Sequence, residues 1–250
     1  GFALAGIGML LGQAVYAWGQ RYLTGVGELV SNVATADKPA AAKKPLTAME
    51  IDRVKVLLLS FLIVIVFWGA FEQAGGLMNI YTSQKVDRTL FGMEIPASVF
   101  QSLNPAFIIL FGALVANFWY RRQAAGKQSS SLFKMALGNM IMGIGFLFMV
   151  AATKEVEATG SAAMYWLVAA YLFHTIGELC ASPVALSFIT KLAPAKYASL
   201  MMGVYFATTG FGNKVAGLLG EAASDAGEMA IFGGIFLFTT VFGLLILALL

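Results

Sequence analysis

Seven long apolar segments, separated by shorter polar ones, run along this 250-residue chain. Each is about 20 residues or longer, the length that an α-helix needs to cross the hydrocarbon core of a bilayer. The predicted membrane-spanning helices are 1–20, 54–80, 97–120, 132–152, 162–189, 198–220 and 229–250. The pattern therefore predicts an all-α polytopic membrane protein.

A long polar stretch, TGVGELVSNVATADKPAAAKKPLTAMEIDR, interrupts this pattern after the first segment. Its alanine, proline and lysine content is typical of a flexible linker. Near its end, Thr47 precedes Glu50 by three residues, a capping box that predicts the start of a helix. We expect a membrane helix at 1–22, a linker at 23–52 and a six-helix transmembrane bundle at 53–250.

The composition agrees with a membrane protein. Hydrophobic residues make up 59% of the chain and charged residues 12%, whereas soluble domains carry about 25% charged residues. The basic residues separate apolar segments and do not line one face, which argues against a nucleic-acid partner. The single cysteine, Cys180, excludes an internal disulfide and a multi-cysteine metal site.

Lysine and arginine are unevenly distributed among the predicted loops. Those on the linker's side of the membrane are Arg21, Lys38, Lys43, Lys44, Arg53, Lys55, Arg121, Arg122, Lys127, Lys134, Lys191 and Lys196. The alternate loops contain Lys85, Arg88, Lys154 and Lys214 together with most of the acidic residues. Because positively charged loops remain on the cytoplasmic side, we predict that linker 23–52 is cytoplasmic.

Two acidic residues lie deep in the predicted spans: Glu72 in FWGAFEQAGG and Glu178 in FHTIGELCASPVALS. A charge at the centre of a membrane helix costs about 2.5 to 3.5 kcal/mol on insertion scales, and such residues mark ion, proton or substrate paths by default. Burial disfavours an ionised carboxyl group and a nearby ammonium favours it, so cation binding and proton release would compete at Glu178. Alternatively, each glutamate only joins neighbouring helices through hydrogen bonds.

Other polar residues lie near these glutamates in the sequence. His174 and Ser182 are four residues before and after Glu178, hence on the same helix face. A proton relay from His174 is one interpretation, and a buried ring bonded to a carbonyl is the other. Ser182 can donate to a ligand or to its own i−4 carbonyl. Asn104 carries an amide that can both donate to and accept from a peptide bond.

The remaining candidates are aromatic. Trp68, Phe71 and Tyr205 could line a pocket for varied side chains, or they could pack in the core or face lipid. Nothing in the sequence resembles a nucleophile with its base, a phosphate-binding glycine loop or a metal cluster. The sequence therefore predicts that the protein is not an enzyme and has no cofactor. The coupling ion that it predicts is the proton.

Three motifs resemble the second half of the proton-dependent oligopeptide transporter family: FWGAFEQAGG, QSLNPAFIIL and GELCASPVALSFITKLAPAKYASLMMGVYF. That family belongs to the major facilitator superfamily, in which two six-helix bundles enclose a substrate cavity. The resemblance covers essentially the whole chain. It implies that 1–22 is the last helix of an N-terminal bundle and 53–250 the C-terminal bundle. Because the chain opens at Gly1 directly into an apolar stretch, we expect it to be a piece of a longer protein.

The resemblance also implies roles for single residues. Glu178 would face the N-terminal ammonium of the peptide, and Asn104 would contact the bound peptide. Glu72 would take part in proton coupling and in a salt bridge to the N-terminal bundle that closes the outer gate. Ser182 would line the same cavity. Tyr205 stands where many members carry a tryptophan, so the shape of the pocket there differs from theirs.

The function implied is a proton-coupled symporter that imports di- and tripeptides by alternating access. Its partners would be peptides, protons, the lipid bilayer and the N-terminal six-helix bundle, in the cytoplasmic membrane of a bacterium. One alternative is a major-facilitator transporter of another small cationic or polar solute. The other is a non-transporting membrane scaffold in which the glutamates only stabilise helix packing.

Overall fold

The computed structural model describes residues 2–23, 46–127, 130–194 and 197–250. Most of the predicted linker, including Lys38, Lys43 and Lys44, lies outside the described residues, as does Lys196. The chain divides into two compact units, Gly1–Leu46 and Thr47–Leu250. In the first, helix α1 (Phe2–Gly19) is followed by a 3₁₀ turn at Gln20–Tyr22.

The second unit is a helical bundle. Its described α-helices are α2 (Ala48–Phe71), α3 (Leu77–Lys85), α4 (Leu103–Ala124), α5 (Ser131–Thr159), α6 (Met164–Leu192), α7 (Ala198–Ala226) and α8 (Glu228–Leu249). Short 3₁₀ helices lie at Glu72–Ala74, between α2 and α3, and at Ala97–Ser102, before α4. Helices α2 and α3 are thus the longer and the shorter part of one interrupted span.

Five described segments are long and apolar enough to cross a membrane: Ala48–Lys85, Ala97–Ala124, Ser131–Thr159, Met164–Leu192 and Glu228–Leu249. The other two predicted spans, 1–20 and 198–220, are also helical, as α1 and α7, although they are not in this set. The predicted all-α polytopic membrane fold is confirmed.

A capping box starts helix α2, as the sequence predicts. The Glu50 backbone N–H donates to Thr47 Oγ1 at 3.3 Å, and the Thr47 backbone N–H donates to Glu50 Oε2 at 2.8 Å. These bonds satisfy two of the backbone donors that a helix start leaves free. Residues 48–52, at the end of the predicted linker, are helical as the first residues of α2.

Glycines allow α5 and α6 to pack backbone against backbone in the middle of the bundle. A Cβ atom built on Gly138 would lie 2.6 Å from the Gly177 carbonyl oxygen, and one built on Gly177 would lie 2.6 Å from that of Gly138. Gly145, also on α5, leaves space for the His174 ring of α6. In lipid, where apolar side chains gain little by leaving the solvent, such close approach is a main source of helix association.

Short strands and an ion pair connect the ends of the helices at the alternate loops. Strand β1 (Val86–Asp87) pairs in parallel with β4 (Ala162–Ala163), while β2 (Thr89–Leu90) and β3 (Met93–Glu94) form a hairpin. The Lys85 Nζ atom lies 2.9 Å from Glu228 Oε1, which joins the end of α3 to the start of α8.

The Gly138–Gly177 crossing predicts the effect of one added methyl group. Gly138→Ala should lower the free energy of unfolding by about 1–3 kcal/mol, because the two helices must separate to admit the methyl group. Thermal unfolding in detergent measures this. Gly234→Ala is the matched control, since a Cβ there meets no atom within 4 Å. Equal stability of the two variants would contradict the packing described.

Candidate functional site

Glu72 lies where the span formed by α2 and α3 is interrupted. Helix α2 ends at Phe71, and the Glu72 carbonyl accepts hydrogen bonds from the backbone N–H groups of Gly75 (3.2 Å) and Gly76 (3.3 Å). Discontinuous helices of this kind place polar groups and free backbone at the binding sites of transporters.

Two buried side chains from outside the predicted site hold this break in place. Gln73, 1% exposed, donates from Nε2 to the Gly69 carbonyl at 3.2 Å and to the Ala216 carbonyl of α7 at 3.0 Å. From α6, the Tyr171 hydroxyl donates to the Ala74 carbonyl at 3.2 Å. Glu72 therefore lies on a segment that is fixed to both α6 and α7.

Glu178 is held by an amide from the neighbouring helix α4. Asn104 Nδ2 donates to Glu178 Oε2 at 2.8 Å and to Thr175 Oγ1 at 3.1 Å. The Thr175 hydroxyl in turn donates to the Tyr171 carbonyl at 2.7 Å. The structure thus brings Asn104 and Glu178 together and adds Thr175, which was not among the residues predicted for the site.

A polar cavity of about 180 Å³ lies on one side of this pair. It contains the side chains of Glu72, Asn104 and His174, together with Tyr171 and Gln101. Two of the proton-coupling candidates, Glu72 and His174, therefore face the same space as the amide that holds Glu178.

An apolar cavity of about 350 Å³ lies beside Glu178 and contains Ser182 and Tyr205, two further predicted site residues. The rest of its lining is Ile108, Leu179, Pro183, Leu186 and Phe206. A carboxylate beside apolar walls suits a ligand that has a cationic end next to an apolar side chain.

Trp68 is placed differently from the other candidates. Its ring packs edge-on against Phe67 and Phe71, with ring centroids 5.7 and 5.3 Å away. It shares with Ser182 and Tyr205 only a void of about 10 Å³, about the size of one water molecule. Trp68 therefore lines neither the polar nor the apolar cavity.

His174 is 1% exposed and packs against the Phe146 ring at a centroid distance of 4.6 Å. Among the described residues, neither of its ring nitrogens has a hydrogen-bond partner, so His174 has no hydrogen bond to Glu178 and none to a backbone carbonyl. The proton relay stays a prediction. The ring faces the polar cavity that also contains Glu72.

Comparison with known proteins decides the family. A family model described as the POT family matches residues 26–233. The chain belongs to the POT family. This confirms the resemblance to proton-dependent oligopeptide transporters and, with the spans described above, makes the chain part of an integral membrane protein.

Relatives and a solved structure agree. The chain is 37% identical over 173 residues to the peptide transporter YePEPT of Yersinia enterocolitica, covering 68% of this chain and 34% of that protein. It is 35% identical over 150 residues to a di-/tripeptide transporter of Lactococcus lactis, covering 58% and 30%. A POT family transporter solved with a thioalcohol conjugated peptide has a TM-score of 0.75 at 26% identity, covering 97% and 52%. The chain thus spans about a third of the length of the two named transporters and about half of the solved one. These relatives are transporters rather than enzymes.

The Gln73 contacts predict a stability effect at the helix break. Gln73→Leu should lower the free energy of unfolding by about 0.6 kcal/mol and at most about 1.7 kcal/mol, the average and maximum measured for hydrogen bonds between membrane helices, because the Ala216 carbonyl loses its side-chain donor. Thermal unfolding measures the change. Gln101→Leu, at an exposed position on the cavity rim, is the control. A Gln73 variant as stable as this control would contradict the assignment.

Proposed function

We propose that this chain supplies the C-terminal bundle of a proton-coupled symporter that imports di- and tripeptides by alternating access. The observation that carries the proposal is the Glu178 carboxylate, held by Asn104 beside an apolar cavity inside a membrane-spanning helix. Membership of the POT family and the similarity to named peptide transporters support it.

The peptide's N-terminal ammonium binds at Glu178. An ionised carboxylate in a low-dielectric environment attracts a cation more strongly than it would in water. The apolar cavity with Tyr205 and Ser182 receives a peptide side chain. Asn104 contributes to binding beside Glu178.

Glu72 binds and releases the coupling proton, and His174 assists it across the polar cavity. A carboxyl group and an imidazole can both exchange protons near neutral pH once their surroundings change. Because Glu72 lies at a helix break, rocking of the bundle changes its solvent access. Glu72 also forms the outer-gate ion pair with the N-terminal bundle.

The complete transporter has partners beyond this chain. The N-terminal six-helix bundle of the same protein closes the cavity, and the lipid bilayer surrounds both bundles. Linker 23–52 lies in the cytoplasm, and the membrane is the cytoplasmic membrane of a bacterium. The chain takes no cofactor apart from protons, binds no nucleic acid and catalyses no reaction.

Glu178→Gln tests the ammonium site. Uptake of a labelled dipeptide into liposomes under an inward proton gradient should fall at least about tenfold, because truncating one partner of a buried charge pair costs 2–5 kcal/mol. The complete transporter is used, and thermal unfolding is measured separately. Glu157→Gln, at an exposed position, is the control and should transport normally.

Three outcomes would contradict the assignment. Unchanged dipeptide uptake by the Glu178 variant would exclude Glu178 as the binding site of the peptide ammonium. No dipeptide uptake by a folded wild type, with uptake of another small cationic or polar solute, would favour that transporter class. Lower folded yield with no separate transport defect would favour a membrane scaffold.

Glu72→Gln tests proton coupling. Glutamine is neutral and cannot titrate, so uphill uptake driven by the proton gradient should be lost. Exchange of labelled for unlabelled dipeptide without a gradient should persist, because the peptide site is intact. Glu221→Gln, exposed near the end of α7, is the control. Normal gradient-driven uptake by the Glu72 variant would exclude it from coupling, and loss of exchange as well would assign it to peptide binding.

A further inference from the structure

The hydrogen bonds around Thr175 determine which way the Asn104 amide points. Thr175 is fully buried, and its hydroxyl hydrogen is already donated to the Tyr171 carbonyl at 2.7 Å. A hydroxyl has one hydrogen and two lone pairs, so Thr175 can offer Asn104 only an acceptor. The ionised Glu178 carboxylate is also only an acceptor. Both therefore require the NH₂ group of Asn104.

The two N–H bonds of Asn104 are then fully used, one toward Thr175 at 3.1 Å and one toward Glu178 at 2.8 Å. What remains for a ligand is the carbonyl oxygen Oδ1, to which none of the described residues donates a hydrogen bond. Asn104 lines the polar cavity, so its remaining hydrogen-bonding capacity toward a substrate is that of an acceptor.

We infer that Thr175 is a positioning residue of the substrate site, which orients the Asn104 amide so that its oxygen joins Glu178 in accepting N–H groups of the substrate. This inference rests on the proposed peptide-transport function. An alkylammonium has three N–H donors and no acceptor. A site that offers two carboxylate oxygens and one amide oxygen therefore favours a peptide with a free amino terminus over one whose amine is acylated or missing.

Replacement of Thr175 should act through Asn104 and not through packing alone. Valine has nearly the shape of threonine but cannot accept a hydrogen bond. In Thr175→Val one Asn104 N–H loses its partner, so only the bond to Glu178 still orients the amide, and its oxygen is held less firmly toward the ligand. Thr175→Ser keeps the hydroxyl and is the matched control.

The test is gradient-driven dipeptide uptake by the complete transporter in liposomes. Thr175→Val should raise KM at least about tenfold, as expected for the loss of one hydrogen bond to a charged group, with kcat little changed, whereas Thr175→Ser should restore KM. The same dipeptide without its amino group is then used as a competitor. Its inhibition constant should be nearly equal in wild type and Thr175→Val, because that analogue has no ammonium to donate to the amide oxygen. The preference for the free amine therefore falls in Thr175→Val.

A double-mutant cycle with Asn104→Ala identifies the route of the effect. If Thr175 acts through Asn104, Thr175→Val should change KM by less than about twofold in the Asn104→Ala background, within the range of independent sites. Independent, additive effects would overturn the inference, as would an unchanged amine preference in Thr175→Val. Should Thr175→Val fail to fold, Thr175→Ala replaces it in the same cycle. Absence of dipeptide uptake by the folded wild type would instead defeat the proposed function itself.

Discussion

The Asn104–Glu178 hydrogen bond is the contact on which the arrangement of the site depends. A carboxylate inside a membrane helix is costly unless a donor lies beside it, and Asn104 supplies that donor from α4. This bond also brings α4 against α6, so the two walls of the site are set at a defined distance. The polar cavity opens next to Asn104 and the apolar one next to Glu178.

Around this contact, the bundle combines rigid and interrupted elements. Gly138 and Gly177 bring α5 and α6 into backbone contact, which gives the site a firm base. The span that carries Glu72 is broken, yet Gln73 and Tyr171 fix the broken segment to α7 and α6. A break held in this way places backbone polar groups beside a cavity without leaving the segment unsupported.

The sequence predicts the spans and several site residues because placing polar groups in lipid costs a large free energy. The apolar spans, the Thr47–Glu50 helix start and the two deep glutamates could all be recognised from residue type and spacing alone. Thr175 and Gln73 could not, because a threonine or glutamine in a membrane helix most often bonds to its own turn. Only the structure shows which of them reaches another helix.

The placement of Trp68 and His174 could not be predicted either. Helical spacing puts His174 on the same face as Glu178, but a helix face is broad enough to meet two neighbours. The His174 ring enters the space that Gly145 leaves on α5, whereas Glu178 meets α4. Helical periodicity shows which residues share a face of α6, but it does not show which neighbouring helix each of them contacts.

Helix α4 is less buried than the other helices of the bundle. Across Leu103–Ala124 it has no fully buried residue, although it carries Asn104 and contributes Ile108 to the apolar cavity. Away from Asn104, substitutions along it therefore disturb the bundle's own packing little. A substitution at Ile108, which is only partly buried, therefore reshapes the wall of the apolar cavity while the fold keeps most of its stability.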